Sequence, residues 1–193
     1  MNFNWIALFS HTGSDIYNIS EKIGRWPDKI ITNKPPGSED LHEGIISRFA
    51  SETGQELIYT ADKPTTTAYR QLFNEDSLIT LHGWMRVIPG SICEEYNIYN
   101  LHPGLIRQYP ELKGKDPQKK VVSTPDEERY KKVGCVIHKT VKEVDDGEII
   151  MERSSLNVYP SEGELTRYLH EMGTQMWVDF LNLYADGKLD EIL

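Results

Sequence analysis

The feature that most constrains this chain is a regular alternation of short apolar runs and amphipathic stretches over its first hundred residues. The short runs are rich in β-branched and aromatic residues, which favours strands. We predict strands at Trp5–Ser10, Lys29–Thr32, Leu57–Thr60, Ser77–Leu81 and Ile98–Leu101, with helices at Asp15–Ile23, Leu41–Ser51 and Thr66–Phe73. Repeated strand–helix units of this length predict an α/β fold, with a mostly parallel central sheet and helices on both faces.

The second half of the chain has a less regular pattern. Residues 108–132 are rich in charged residues, Pro and Gln, so we predict a long surface loop with one helix at 125–131. Strands are predicted at Gly134–Thr140 and Glu148–Glu152, on either side of a turn-prone loop. Apolar residues at helical intervals predict a long terminal helix over Glu162–Tyr184.

The composition excludes several classes of protein. The 193 residues carry a formal net charge of −9, which argues against wrapping nucleic acid because phosphate contacts need a basic surface. No apolar run approaches the roughly 18 residues of a membrane span, and the N-terminus lacks the basic region of a signal peptide. The two cysteines, Cys93 and Cys135, lack the companions of a zinc site and suit buried thiols. We expect one cytoplasmic domain, without a metal, nucleic acid or membrane partner.

Asn100 and His102 stand two residues apart in the stretch NLHPGLI, directly before Pro103 and Gly104. Side chains at this spacing on a strand point to the same side, so both would project from a strand end that Pro-Gly terminates. A neutral amide beside an imidazole can bind a developing oxyanion and move a proton. The alternative is structural, with the Asn capping a turn and the His satisfied by backbone groups.

Two loops that follow predicted strands are candidates for ligand binding. The loop SHTGSD at 10–15 precedes a helix, where backbone N–H groups form an anion site, although Ser14 or Asp15 could simply cap that helix. In LHGWMRVIP at 81–89, Trp84 and Met85 could form an apolar wall for a flat heteroaromatic ligand or belong to the core. Ligands of doubly wound sheets bind at the carboxyl ends of strands, where these loops would lie.

The loop VKEVDDGE at 141–148 contains two adjacent acids, Asp145 and Asp146. Such a pair is usually a solvated turn, but an acid that follows a strand can also orient a His, hold a water or relay protons. Because this loop and the NLHPG stretch both follow predicted strands, a parallel sheet would bring them to the same edge.

These four stretches, in this order, resemble the motifs of the folate-dependent formyltransferases, most closely the phosphoribosylglycinamide formyltransferase family. The matching motifs are Gly13-Ser14-Asp15, Gly83-Trp84-Met85-Arg86, Asn100-Leu101-His102-Pro103, Gly134-Cys135-Val136-Ile137-His138 and Val144-Asp145-Asp146-Gly147. The resemblance extends over most of the chain. It implies a Rossmann-like formyltransferase fold and one catalytic domain over 1–193, with a phosphate-binding half at 1–100 and a catalytic-loop and folate-binding half at 101–193.

The resemblance also implies a reaction, in which 10-formyltetrahydrofolate donates its formyl group to the primary amine of a phosphorylated acceptor, phosphoribosylglycinamide of purine biosynthesis. His102 would contact the formyl oxygen or pass a proton, Asn100 would donate its amide to that oxygen, and Asp145 would orient His102 and a proton-relaying water. The implied binding residues are Met85, Arg86, Ile88, Val141 and Val144 for the pterin, and Gly13, Ser14 and Asp15 for the phosphate. The resemblance implies small-molecule partners and no metal, and it is compatible with a homodimer.

Departures from the family pattern leave the acceptor open. Thr66 stands where the family has a phosphate-binding Arg. On the terminal helix, the positions that offer Gln and Glu to ribose hydroxyls hold Leu169 or His170, and Met172 or, with a one-residue shift, Glu171. The alternatives are an amino sugar nucleotide or another nucleotide-linked amine as acceptor, or hydrolysis of the donor to formate. An alternative of a different class is a folate- or nucleotide-binding protein without catalytic activity.

Overall fold

The computed structural model describes residues 3–124 and 129–189. The strands are β1 (Asn4–Phe9), β2 (Lys29–Thr32), β3 (Ile58–Tyr59), β4 (Ser77–His82), β5 (Asn97–His102), β6 (Lys132–Lys139) and β7 (Ile149–Leu156). The helices are α1 (Ser14–Ile23), α2 (Glu43–Thr53), α3 (Thr66–Leu72), α4 (Gly90–Glu95), α5 (Pro117–Ser123) and α6 (Glu162–Ala185), with a 3₁₀ turn at Pro110–Leu112. Within the described ranges, none of the helices is long and apolar enough to cross a membrane. The chain divides into two compact units, 1–100 and 101–193.

The first unit contains parallel strands in the order β3-β2-β1-β4-β5. Its central strands are largely apolar because both of their faces are covered, and every residue of β4 is buried, including the polar Ser77, Thr80 and His82. Side chains from these strands and from the following helices form one core, which includes Ile6, Leu8, Ile31, Tyr69, Phe73, Ile79, Trp84 and Ile98. The predicted α/β fold with a mostly parallel sheet is confirmed.

The second unit contains β6 and β7, which pair antiparallel, together with α5 and α6. A glycine is required near the start of β6, because a Cβ at Gly134 would lie 2.0 Å from the Arg153 carbonyl oxygen and 2.7 Å from Leu105 Cδ2. Ser161 caps the start of α6, since Glu164 N–H donates to Ser161 Oγ at 3.3 Å and Ser161 Oγ donates to the Glu164 carboxylate at 2.8 Å.

Two helices differ from the sequence-based expectations. A helix was predicted at 125–131, but residues 125–128 of that range lie outside the described residues. Within the predicted loop 108–132, the structure has the helix α5 at Pro117–Ser123 instead. The short helix α4 was not predicted. Neither helix exceeds seven residues, and each buries only two of them, so their apolar positions are too few to produce a detectable helical period.

His82, the last residue of β4, is buried beside polar side chains. Its Nε2 lies 2.8 Å from Thr80 Oγ1, and that hydroxyl also accepts a 2.8 Å hydrogen bond from Trp5 Nε1. Burial lowers the pKa of His82 to about 4, against a weaker opposing effect from the charge of Asp15. In the unfolded chain His82 takes up a proton below its ordinary pKa of 6.5, whereas in the native state it stays neutral down to about pH 4.

Acidification should destabilise the protein as the pH falls from about 6.5 to about 4, because the unfolded state binds a proton that native His82 does not. The expected loss in the free energy of unfolding is about 3 kcal/mol at pH 4 relative to pH 7. Urea unfolding of the wild type and of His82→Gln across this range measures the effect. An equally steep loss in the variant would show that another group is responsible.

Candidate active site

His102 is the last residue of β5, and its ring is held at both nitrogens. Nε2 lies 2.8 Å from the Leu112 carbonyl oxygen, and Nδ1 lies 3.1 Å from Asp145 Oδ2. A carbonyl oxygen can only accept, so Nε2 carries a proton in this arrangement. The turn that follows needs a small residue, because a Cβ at Gly104 would lie 3.1 Å from Nε2. The predicted strand end at Pro103-Gly104 is confirmed, and it leaves the imidazole buried rather than solvated.

Asp145 is the acceptor at the centre of this cluster. Its side chain is only 9% exposed and accepts hydrogen bonds from His102, from the Gly114 N–H at 2.9 Å and from His138. Burial by itself would raise the pKa of Asp145, but these hydrogen bonds and the positive charge of His102 outweigh it and hold the pKa well below its usual range. The group is therefore a carboxylate at neutral pH. The interpretation of Asp145 as part of a solvated turn is wrong.

The loop around Asp145 has a constrained backbone. Asp145 itself has φ +53, in the left-handed region that Asp tolerates better than most residues. Gly147 passes so close to β6 that a Cβ there would lie 1.6 Å from the Lys139 carbonyl oxygen. The neighbouring acid, Asp146, is exposed and pairs with Lys113. The two adjacent acids therefore have different roles, with one inside the cluster and one in solvent.

His138 is a site residue to which the sequence analysis gave no role. Its Nε2 lies 3.3 Å from Asp145 Oδ1, and its Nδ1 lies 3.0 Å from the Lys139 carbonyl oxygen, which can only accept. Asp145 therefore lies between two imidazoles, one on each carboxylate oxygen. The signal that could have identified His138 is its place near the end of β6, just as His102 ends β5.

Asn100 lies two residues before His102 on β5 and is half-buried. Its backbone pairs with Leu81 of β4, so it stands at the carboxyl end of the parallel strand pair. The alternation of side chains along a strand gives Asn100 and His102 the same direction. This spacing supports the predicted pairing of an amide donor with an imidazole.

Two predicted binding loops of the first unit meet at the carboxyl ends of the adjacent strands β1 and β4. Ser10 N–H donates to the Gly83 carbonyl oxygen at 3.3 Å, and Met85 N–H donates to Ser10 Oγ at 2.9 Å. Gly83 has φ +64, and a Cβ there would lie 3.0 Å from His11 Cδ2. The sheet thus brings together two loops that are about seventy residues apart in sequence.

The loop after β4 presents its side chains in different environments. Trp84 belongs to the core and donates from Nε1 to the Tyr69 hydroxyl at 3.2 Å, so the core interpretation of this residue is correct. Met85 is exposed, whereas the side chain of Ile88 is buried. Arg86 is held by the Asp62 carboxylate and by a 2.7 Å hydrogen bond to the Asp62 carbonyl oxygen. Met85, Arg86 and Val87 could therefore offer a side chain to a ligand here.

The remaining predicted binding residues lie at a helix start and in the 141–148 loop. Gly13, with φ +78, is the N-cap of α1, and as a glycine it has no side chain to cap that helix. Ser14 N–H donates to Thr12 Oγ1 at 3.2 Å, and Asp15 lies in the first turn. In the 141–148 loop, Val141 is half-buried and Val144 is exposed.

The histidine–aspartate cluster has the composition of an acid–base site rather than of a metal site. Among residues 3–124 and 129–189, no group of His, Cys, Asp and Glu side chains is arranged to hold a metal ion. The donors present are two imidazoles, and the acceptor is one buried carboxylate. Such a set can donate to a developing oxyanion and move a proton.

Known proteins are similar to this chain in sequence and in structure. A family profile described as formyl transferase matches residues 30–181. A phosphoribosylglycinamide formyltransferase of Dictyostelium discoideum is 34% identical over 208 residues, covering 96% of this chain and 99% of that protein. The crystal structure of phosphoribosylglycinamide formyltransferase from Anaplasma phagocytophilum covers 97% of this chain and 89% of its own, with a TM-score of 0.77 and 21% identity. A sugar N-formyltransferase from a Shewanella species covers 94% and 70%, with a TM-score of 0.65 and 18% identity. At these identities the two structures support the fold alone.

Proposed function

The chain belongs to the formyl transferase family and is an enzyme of formyl transfer, and we propose that it carries the formyl group of 10-formyltetrahydrofolate to the primary amine of phosphoribosylglycinamide. This reaction would place it in purine biosynthesis. The observation that carries the proposal is the buried contact of 3.1 Å between His102 Nδ1 and Asp145 Oδ2. His102 lies on β5, the strand that also bears Asn100. A protein that only bound folate or a nucleotide would have no need of this trio.

The proposed reaction balances without a metal or a redox partner. The acceptor amine attacks the formyl carbon, and the carbonyl oxygen becomes an oxyanion in a tetrahedral intermediate. Collapse of this intermediate breaks the bond from carbon to N10 of the folate, while a proton moves from the attacking nitrogen to N10. The protein must therefore stabilise one oxyanion and transfer one proton.

Each member of the trio suits one of these tasks. Because the Leu112 carbonyl oxygen accepts from His102 Nε2, the Nδ1 side of the ring is the one that would take part in the reaction, together with its partner Asp145. The Nδ1–H of His102, which faces Asp145 in the free protein, would turn to the oxyanion or pass the proton, and Asn100 would donate its amide to the same oxygen. Asp145, ionised at neutral pH, would orient the imidazole and accept from a proton-relaying water.

The binding assignments complete the proposal. Backbone groups around Met85, Arg86 and Ile88, with Val141 and Val144, would bind the pterin, and the exposure of Met85 and Val144 supports this. Gly13, Ser14 and Asp15 at the start of α1 would bind the acceptor phosphate, since a helix N-terminus attracts anions. A cytoplasmic location, a single catalytic domain and a homodimer stay predictions.

Replacing Asn100 with alanine should lower kcat by about a hundredfold, because one donor to the developing oxyanion is lost. KM for the folate donor should stay within about threefold of the wild-type value, since this contact strengthens only in the transition state. Steady-state kinetics measures both constants. A large rise in KM with unchanged kcat would assign Asn100 to substrate binding instead.

The test of the function is an absorbance assay for the release of tetrahydrofolate from 10-formyltetrahydrofolate. Three reactions are compared, with phosphoribosylglycinamide, with an amino sugar nucleotide and with no amine. Turnover that requires phosphoribosylglycinamide supports the proposal. Turnover without an amine, with formate as product, would reassign the protein as a hydrolase, and tight folate binding without turnover would reassign it as a binding protein.

One observation favours the amino sugar nucleotide, or another nucleotide-linked amine, as a second candidate acceptor. Thr66, the first residue of α3, offers a hydroxyl where the family resemblance expects the charge of an Arg. On α6, Leu169 is buried and its carbonyl accepts from Cys135 Sγ, so its side chain cannot reach a ribose. The second reaction of the assay tests this candidate directly.

A further inference from the structure

A short stretch of backbone contacts both titratable groups of the proposed mechanism. Within the segment 111–114, the Leu112 carbonyl oxygen accepts from His102 Nε2 at 2.8 Å. Two residues later, the Gly114 N–H donates to Asp145 Oδ2 at 2.9 Å. The position of this backbone therefore sets the orientation of the His102 ring and of the Asp145 carboxylate together.

The side chain of Lys120 binds the same segment from α5. Its Nζ donates to the Glu111 carbonyl oxygen at 3.0 Å and to the Lys113 carbonyl oxygen at 3.1 Å. These two carbonyls flank that of Leu112, so the ammonium group bridges the backbone on either side of the group that holds His102. A lysine ammonium has three N–H donors and no acceptor, which suits it to bridging two carbonyl oxygens.

Lys120 lies on a helix, α5, that is anchored by burial and by hydrogen bonds. The helix α5 begins at Pro117, which is buried, and it also buries Val121. The backbone N–H of Lys120 donates to the Asp116 carbonyl oxygen at 3.1 Å, and its carbonyl accepts from Thr124 Oγ1 at 2.6 Å. The ammonium group is therefore presented to the segment 111–114 from an anchored helix.

We propose that Lys120 is a positioning residue for formyl transfer, acting through the backbone of the segment 111–114 on His102 and Asp145. The proposal rests on the proposed function of that pair. By fixing the carbonyls on both sides of Leu112, Lys120 holds the Leu112 oxygen against His102 and the Gly114 N–H against Asp145. Displacement of a reacting group by a fraction of an ångström is costly in rate, even when the protein remains folded.

The segment has other contacts, through its side chains and through the N–H groups of Leu112 and Lys113, which donate to the Tyr109 and Pro110 carbonyl oxygens at 2.9 and 3.2 Å. The Glu111 carboxylate accepts from Arg129 and from the Tyr130 hydroxyl, and Lys113 pairs with Asp146. The Leu112 side chain is buried. These contacts keep the segment folded when Lys120 is changed, but they do not hold the carbonyls that Lys120 binds. Loss of the ammonium group should therefore loosen the backbone without unfolding the protein.

The test compares Lys120→Met with Lys119→Met, which removes the same charge from an exposed neighbour on the same helix. We expect Lys120→Met to lower kcat by about tenfold to a hundredfold, the range typical of residues that orient a functional group without contacting the substrate. KM for donor and acceptor should stay within about threefold, and Lys119→Met should leave both constants unchanged. Lys120→Arg keeps N–H donors and should recover part of the lost kcat.

A second readout needs no substrate. Hydrogen exchange of the Gly114 amide, followed by NMR, should accelerate in Lys120→Met and not in Lys119→Met, with unchanged urea unfolding midpoints. Equal exchange and equal kcat in the two methionine variants would overturn the proposal, and so would a rise in KM alone or a general fall in stability. If the wild type formylates neither acceptor, the proposed function fails, and the exchange measurement still decides whether Lys120 fixes this backbone.

Discussion

Replacing His102 with alanine should lower kcat by about a thousandfold while the folate donor still binds. The imidazole lies between the Leu112 carbonyl and the Asp145 carboxylate on the strand that also carries Asn100, so its loss removes the donor to the oxyanion and the route for the proton. Affinity should change little, because the contact matters most in the transition state. Steady-state kinetics and titration with a 10-formyl folate analogue measure the two quantities.

A loss of folding must be separated from this loss of rate. Alanine leaves the Leu112 carbonyl without its donor in a buried place, which costs about 1–3 kcal/mol. His102→Gln keeps an N–H that can reach that carbonyl but cannot move a proton, so it should fold like the wild type and remain as slow as the alanine variant. Wild-type turnover in a folded His102→Gln protein would remove the proposed mechanism.

Replacing Asp145 with asparagine should also lower kcat by about a thousandfold, with little change in molecular shape. The carboxylate accepts from His102, from His138 and from the Gly114 N–H, and an amide can accept at only one of its two ends. One imidazole would then face an NH₂ group, so the ring would lose its orientation and its charge partner. Asp146→Asn is the matched control, because the same change is made at the exposed neighbour.

The same substitution should change how stability depends on pH. Two imidazole hydrogen bonds and the charge of His102 hold the native pKa of Asp145 well below its ordinary value of 3.8, against the opposing effect of burial. The ionised group therefore stabilises the wild type above about pH 4, and this contribution is lost as the pH falls further and the unfolded state takes up a proton. Urea unfolding between pH 6 and pH 3 should show a steeper loss below pH 4 in the wild type than in Asp145→Asn. Parallel curves would contradict the assignment.

Local sequence patterns were sufficient to predict most of the elements of the first unit. The predicted strand Lys29–Thr32 is identical to β2, and the other predicted strands of that unit differ from the observed ones by one residue at one or both ends. Parallel strands are buried on both faces, so they appear in the sequence as short apolar runs, which can be recognised without knowledge of the tertiary structure. In the second unit the sequence also predicted the long helix α6. It did not predict α4 or α5, because short helices lack a readable period.

The chemistry of the site was predicted only in part. Residue type and spacing made Asn100, His102 and Asp145 candidates, with structural alternatives left open, and the family resemblance then singled out these three residues. The partners that hold these groups were not predictable. His138, the Leu112 carbonyl and the Gly114 N–H are brought to the cluster by folding.

The sequence by itself determined the parallel α/β fold and residue types suited to oxyanion binding and proton transfer, since both follow from local periodicity and from side-chain chemistry. Formyl transfer itself was implied by the family resemblance. Only the tertiary structure decided which of two adjacent acids is buried, that Asp145 lies between two histidines, and that Lys120 reaches the backbone beside them. Burial and hydrogen-bond partners depend on residues that are distant in the chain. A local sequence pattern therefore does not predict burial or hydrogen-bond partners, because both depend on how the whole unit packs.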